Sequence, residues 1–153
     1  MRDAWAGDNS VLPDGFSFRT GVTTMVDAGS SGWRNFEDFR HRVIDRATTR
    51  VFAMLNIVRL GMITDVPEQN VHDIDAKATA QMAVKHRDVV VGIKSAHYQG
   101  PEWVSVDRAV EAGEPAGIPV MVDFGYFRAE RPYYKLVTER LRPSARTCRG
   151  PVP

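Results

Sequence analysis

Val89-Val90-Val91-Gly92-Ile93-Lys94 is a β-branched run of strand length that ends on a lysine, and its reading decides the fold. Alternation puts Val90, Gly92 and Lys94 on one face and Val89, Val91 and Ile93 on the other. Upstream, Asn70 to Asp75 offers capping side chains that open a helix ending near His86. Further upstream, Arg50 to Val58 is a second continuous apolar run, reading as a strand. Asn35 to Arg46 carries Phe36, Phe39, Val43 and Ile44 at helical spacing, with Glu37, Asp38, Arg40, Arg42 and Asp45 on the other faces. Gly21-Val22-Thr23-Thr24-Met25-Val26-Asp27-Ala28-Gly29 reads as the first strand. Downstream, Ser105 to Ala112 predicts a helix interrupted by Gly113 and Pro115. Ile118 to Phe124 then predicts a fourth strand, and Pro132 to Arg142 a last helix. Strand and helix alternate four times, so the expected class is α/β, a parallel sheet covered by helices.

The 153 residues are 43% apolar and 25% charged, the composition of an ordinary globular domain. Twenty Lys and Arg against nineteen Asp and Glu leave a net charge of +1, which gives no electrostatic reason to expect nucleic acid or an anionic membrane as partner. A single cysteine, Cys148, excludes an internal disulfide and a thiolate metal cluster, and fits a reducing, cytoplasmic compartment. Neither a signal peptide nor a membrane span is expected, because Met1 to Ser10 is polar and no run of about 18 apolar residues occurs.

In parallel α/β folds ligands gather beyond the carboxyl ends of the strands, which singles out the polar residues there. Lys94 is the sharpest. An ammonium on an interior strand face is costly, so this lysine must pair, lose its proton or be chemically converted. A neutral amine can add carbon dioxide, and the resulting carbamate has two oxygens able to bridge two divalent metals about 3.5–4 Å apart. The plainer alternative is a strand-end lysine that reaches solvent or a carboxylate. His97, three residues on, faces the other way on a strict strand, although a turn after Lys94 would bring both to the rim. Asp123 ends the apolar run Ile118-Pro119-Val120-Met121-Val122, where an unpaired carboxylate is expensive. Asp27 makes a weaker case, because Gly29, Ser30 and Ser31 can satisfy it locally. Asn56 closes the second strand as an uncharged hydrogen-bonder suited to orienting a substrate, or as a turn residue before Gly61.

The ordered set Gly21-Val22-Thr23-Thr24-Met25-Val26-Asp27-Ala28-Gly29-Ser30, Phe36-Glu37-Asp38-Phe39, Leu55-Asn56-Ile57, Val91-Gly92-Ile93-Lys94 and Pro119-Val120-Met121-Val122-Asp123-Phe124-Gly125 resembles the amidohydrolase superfamily. More narrowly it is similar to the amidohydrolase/deacetylase metallohydrolases, a dihydroorotase-like branch, from about Ala6 to Pro143. The resemblance implies a (β/α)8 TIM barrel that hydrolyses amide bonds at a one- or two-metal site, usually zinc. It also implies that Lys94 is the carboxylated lysine of the fourth barrel strand, so the four strands here would be barrel strands two to five. By position Asp123 becomes a metal ligand where many relatives have histidine, with Asn56 and His97 near the substrate. The implied substrate is a small N-acyl amino acid, N-acyl hydroxy acid or cyclic amide. The family's HxH pair is absent, and so are the sixth-strand histidine and the general-base aspartate of the eighth strand.

A complete eight-stranded barrel needs about 250 residues, so 153 can supply about half. The expected organisation is a partial barrel over 1–143 and a loose, out-of-register tail over 144–153, as a truncated or frameshifted reading would leave. Half a barrel exposes two strand edges, so a homo-oligomer or pairing with a missing barrel half is expected, and the fragment alone is expected to be inactive. The reading from a different class is a small non-catalytic α/β module, an open doubly wound sheet that binds an anion or partner near Gly29 to Gly32.

Overall fold

The computed structural model describes residues 5–6, 10–64, 66–123 and 128–141. Four strands, β1 (Thr24–Asp27), β2 (Arg50–Asn56), β3 (Val90–Ala96) and β4 (Val120–Asp123), form one sheet in the order β1-β2-β3-β4. Every neighbouring pair is parallel. A doubly wound sheet reverses its strand order at a switch point, and this one does not. The four strands instead make a curled half-barrel with helices on its outside: the parallel sheet and its helices were expected from the alternation, and the partial barrel from the resemblance.

The outer face is built from small and branched side chains. After a short first helix, α1 (Pro13–Ser17), helices α2 (Phe36–Arg42), α3 (Ala76–Lys85) and α4 (Val104–Ala116) supply Phe36, Phe39, Ala76, Ala80, Ala83, Ala109 and Ala112 to a core shared with Ala53, Leu55, Val90 and Ile93 of the sheet. The alanines let the helices lie close against the strands. Two of these helices have a local reason to start or stop. The Asp75 side chain caps α3 by accepting from the Ala78 N–H at 2.9 Å. Gly117, at φ +68°, closes α4 through N–H bonds to the Glu114 and Gly113 carbonyls.

Several boundaries depart from the sequence reading. The helix expected at Ser105 to Ala112 runs through Gly113 and Pro115 to Ala116. Gly113 packs under the strand entry, near the Ile118 carbonyl and the Val120 side chain, and the helix stops at Gly117. The last helix is shorter: one turn, α5 (Tyr133–Lys135), continues as a π turn over Leu136–Arg140, and Arg142 lies outside the described residues. Within β3 the simple alternation also fails. Ala53 pairs with Val90 and Met54 with Gly92, so β3 carries one extra residue there and Val90 joins Ile93 in the helix-side core. The face of Lys94 is unaffected, because the slip precedes it. Phe124, Gly125 and the tail over 144–153 lie outside the described residues.

Among the described residues no helix is long and apolar enough to cross a membrane. Between the N-terminal segment and α2, Trp5, Val11, Pro13 and Val43 line two adjoining cavities of about 360 and 260 Å³. Both lie away from the strand ends that carry Asn56, Lys94 and Asp123.

Candidate metal and substrate site

The parallel register brings the strand-end residues together. Asn56 is the register partner of Lys94, Lys94 of Met121, and Ala96 of Asp123, so Asn56, Lys94 and Asp123 fall on one face, opposite the helices. Lys94 is buried, 6% exposed. Its Nζ lies 3.7 Å from Asp123 Oδ2 and 3.8 Å from the Met121 sulfur. Of the two alternatives for an unmodified lysine, the structure shows the carboxylate pair and not the solvent-reaching chain. The pair is long, and sulfur is a weak acceptor, so neither contact replaces the hydration that an ammonium loses on burial.

His97 reaches the same place by a turn. After Ala96 the chain bends tightly, with the Tyr98 N–H bonded to the Ala96 carbonyl at 2.7 Å and His97 between them at φ +53°. The His97 ring thereby swings to the rim, with Nε2 3.5 Å from Asp123 Oδ2. Its Nδ1 lies 2.7 Å from Oε2 of Glu68. Asn56, fully buried, donates from Nδ2 to the Gly29 carbonyl (3.2 Å) and to Glu68 Oε1 (3.1 Å), while its Oδ1 accepts from the Val58 N–H (3.1 Å). The four residues singled out in the sequence therefore belong to one contiguous polar cluster.

Glu68 completes that cluster and was missed by the sequence reading. It sits in a 3-10 turn, Pro67–Gln69, in the connection after β2, and is 1% exposed. Its composition gives no signal, since Pro67-Glu68-Gln69-Asn70 reads as an ordinary polar loop. Only the rule that rim loops follow strand ends would have pointed there. Gly29 is the second omission. At φ +102° it lies against Lys94, and a Cβ built on it would stand 2.7 Å from Lys94 Cγ.

Asp27 makes no hydrogen bond to the cluster, although the Lys94 charge reaches it and favours its ionised form. Its register partner is Ala53, on the helix side, and its carboxylate folds back to accept from the Gly29 and Ser30 N–H groups and the Ser30 hydroxyl. Burial pushes this carboxyl above its ordinary range, and the Ser30 and Gly29 donors oppose the rise. The local satisfaction expected for it is what the structure shows.

Among the described residues no three His, Cys, Asp or Glu side chains converge as a metal-binding group. Lys94, Asp123 and His97 Nε2 nonetheless meet around one point, the Asp123 Oδ2 atom. Such a corner can supply part of an ion's coordination and needs further donors from outside it.

No protein-family model matches the chain. It is 32% identical over 130 residues to a deacetylase of Brucella anthropi, and equally to the deacetylase Atu3266 of Agrobacterium fabrum. Each match covers 79% of this chain and 32% of the relative. The chain thus spans about a third of the length of these curated relatives. Among solved structures, an adenine deaminase superposes with a TM-score of 0.69 at 26% identity, over 76% of this chain and 33% of the other. A dihydroorotase superposes with a TM-score of 0.60 at 26% identity, over 65% and 30%. Deacetylase-named relatives, the half-barrel, and neighbours that are both amidohydrolases lead to the same family that the ordered set of sequence motifs resembles: the chain belongs to the amidohydrolase superfamily.

Proposed function

We propose that this chain is part of a metal-dependent hydrolase of amide bonds, a deacetylase or cyclic amidase acting on small N-acyl amino acids, N-acyl hydroxy acids or cyclic amides. The observation that carries the reading is the burial of Lys94 beside Asp123 on the face turned away from the helices, at the carboxyl ends of the strands. The names of the relatives support amide hydrolysis as the reaction class.

Lys94 and Asp123 would hold a divalent ion, with zinc as the first candidate. As an ammonium Lys94 has no lone pair to give. As a neutral amine its Nζ can bond to the carbon of carbon dioxide and release a proton, leaving an anionic carbamate with two donor oxygens. That conversion removes the poorly solvated cation and creates a ligand in one step. A divalent ion held here would supply Lewis acidity to the scissile carbonyl and acidify a water. Asn56 and His97 stand on either side of Glu68: His97 would fix the orientation of substrate at the rim, and the buried Asn56 would act on it through Glu68. The described residues hold only part of the ion's ligand set, so hydrolysis would require the strands that complete the barrel. In this reading 1–143 is the barrel portion, 144–153 an appended tail, and the open edges at β1 and β4 pair with a further half or with a second copy.

Zinc affinity measured by equilibrium dialysis tests the reading. Lys94→Ala and Asp123→Asn should each weaken binding at least as much as the about 10- to 100-fold typical of losing an outer-shell partner. A Lys94→Ala chain that keeps its full zinc affinity removes the proposed role.

A further inference from the structure

We propose that Glu68 is the positioning residue of this site, holding the His97 ring in the Nδ1–H tautomer so that Nε2 presents a lone pair toward the corner shared by Asp123 and Lys94. The assignment follows from groups whose hydrogen-bonding roles are fixed. The Gly29 carbonyl can only accept and the Val58 N–H can only donate, which orients the Asn56 amide with Nδ2 toward Gly29 and Oδ1 toward Val58. The same Nδ2 donates to Glu68 Oε1 at 3.1 Å, so that oxygen is an acceptor. The remaining oxygen, Oε2, lies 2.7 Å from His97 Nδ1 and, in a carboxylate, accepts the ring's proton. A neutral ring has one proton for two flanking carboxylates, and the 2.7 Å contact to Glu68 takes it in preference to the 3.5 Å contact to Asp123 Oδ2, at the far limit of a hydrogen bond, which leaves Nε2 bare.

The neighbouring residue grips the same turn from the main chain. Gln69 donates from Nε2 to the His97 carbonyl at 2.8 Å and accepts the Gln99 N–H at 3.0 Å. Positive φ is unfavourable for a side-chain-bearing residue and persists where the surroundings enforce it. Glu68 and Gln69 together provide that enforcement, one on the ring and one on the backbone, from a turn that follows a different strand.

What Nε2 then does, as a donor to an ion or to substrate, rests on the hydrolase reading; the tautomer does not. The test is long-range 1H–15N correlation on the 15N-histidine-labelled chain, with His97 assigned among the four histidines by His97→Gln. At a pH where the ring is neutral, wild type should show a protonated Nδ1 and a bare Nε2, the reverse of the free imidazole's preference. Glu68→Gln keeps the shape but has one acceptor oxygen for two donors. With that oxygen held by Asn56, its NH2 group faces the ring, and the His97 nitrogen resonances should exchange places. A wild-type ring protonated on Nε2 overturns the proposal, and needs no folded variant. A folded Glu68→Gln chain with the wild-type tautomer also overturns it. Zinc affinity separates the two claims: normal tautomers with no Lys94-dependent zinc binding would sink the hydrolase reading and leave the Glu68 role standing.

Discussion

Gly29→Ala should be far more damaging than its chemistry suggests, and a second glycine in the same chain supplies the control. Gly29 has φ +102°, and a methyl there would stand 2.7 Å from Lys94 Cγ, 3.0 Å from Lys94 Cβ and 3.3 Å from Asn56 Nδ2. Gly117 has φ +68°, and a methyl there meets nothing within 4 Å. Gly117→Ala thus isolates the cost of a left-handed alanine, about 1 kcal/mol. Gly29→Ala carries that cost and an overpacking term of about 1–3 kcal/mol, because the Lys94 stem lies between strands and cannot withdraw freely. The expected losses in urea denaturation are about 1 kcal/mol for Gly117→Ala and about 2–4 kcal/mol for Gly29→Ala. Since the methyl must displace the stem of Lys94, Gly29→Ala should also lower zinc affinity while Gly117→Ala leaves it unchanged. Equal destabilisation by the two substitutions would refute the claim that Gly29 is there to admit Lys94.

Asn56→Ala should cost about 1–3 kcal/mol in the same denaturation assay, because it leaves the Val58 N–H without its acceptor in a buried place and removes a donor from Glu68 Oε1 and from the Gly29 carbonyl, which keeps the Met62 N–H at 3.1 Å; a loss under about 0.5 kcal/mol would mean that water takes over these bonds. Stability should also fall as the pH drops below about 6.5 through His86. Burial, then the Arg40 and Lys85 charges, hold its ring below the ordinary 6.5, and its Nδ1 lies 2.9 Å from Arg40 Nη1, which can only donate. Between the folded and unfolded pKa values the unfolded chain binds the extra proton, so stability rises with pH through that window and is fully present above about pH 6.5, with a slope of at most about 1.4 kcal/mol per pH unit. His86→Phe should flatten that part of the urea-midpoint profile, and an unchanged slope would assign the dependence to another group.

The four strands were legible because each is a short apolar run bounded by polar or small residues, and the strand-end rule then located Asn56, Lys94 and Asp123. The extra residue in β3 was not legible, since Val89-Val90-Val91 satisfies either face and only pairing with Ala53 and Met54 chooses between them. The continuation of α4 through Gly113 and Pro115 was hidden for a similar reason: local propensity argues for a break, while packing of Gly113 under the strand entry rewards the helix. His97 was readable as a rim residue only if a turn followed Lys94, and the enforcing contacts come from Glu68 and Gln69, 29 and 28 residues away in sequence. Nothing local to a polar loop announces such a long-range contact.

The proposed hydrolase role stands on conversion of the buried Lys94 amine to an anion that would hold a divalent metal. 13C NMR of the chain in 13C-bicarbonate, with and without zinc, addresses it directly. A carbamate carbon should appear on Lys94, strengthened by zinc and abolished by Lys94→Ala. No carbamate signal in the presence of both bicarbonate and zinc, or one that survives Lys94→Ala, would contradict it.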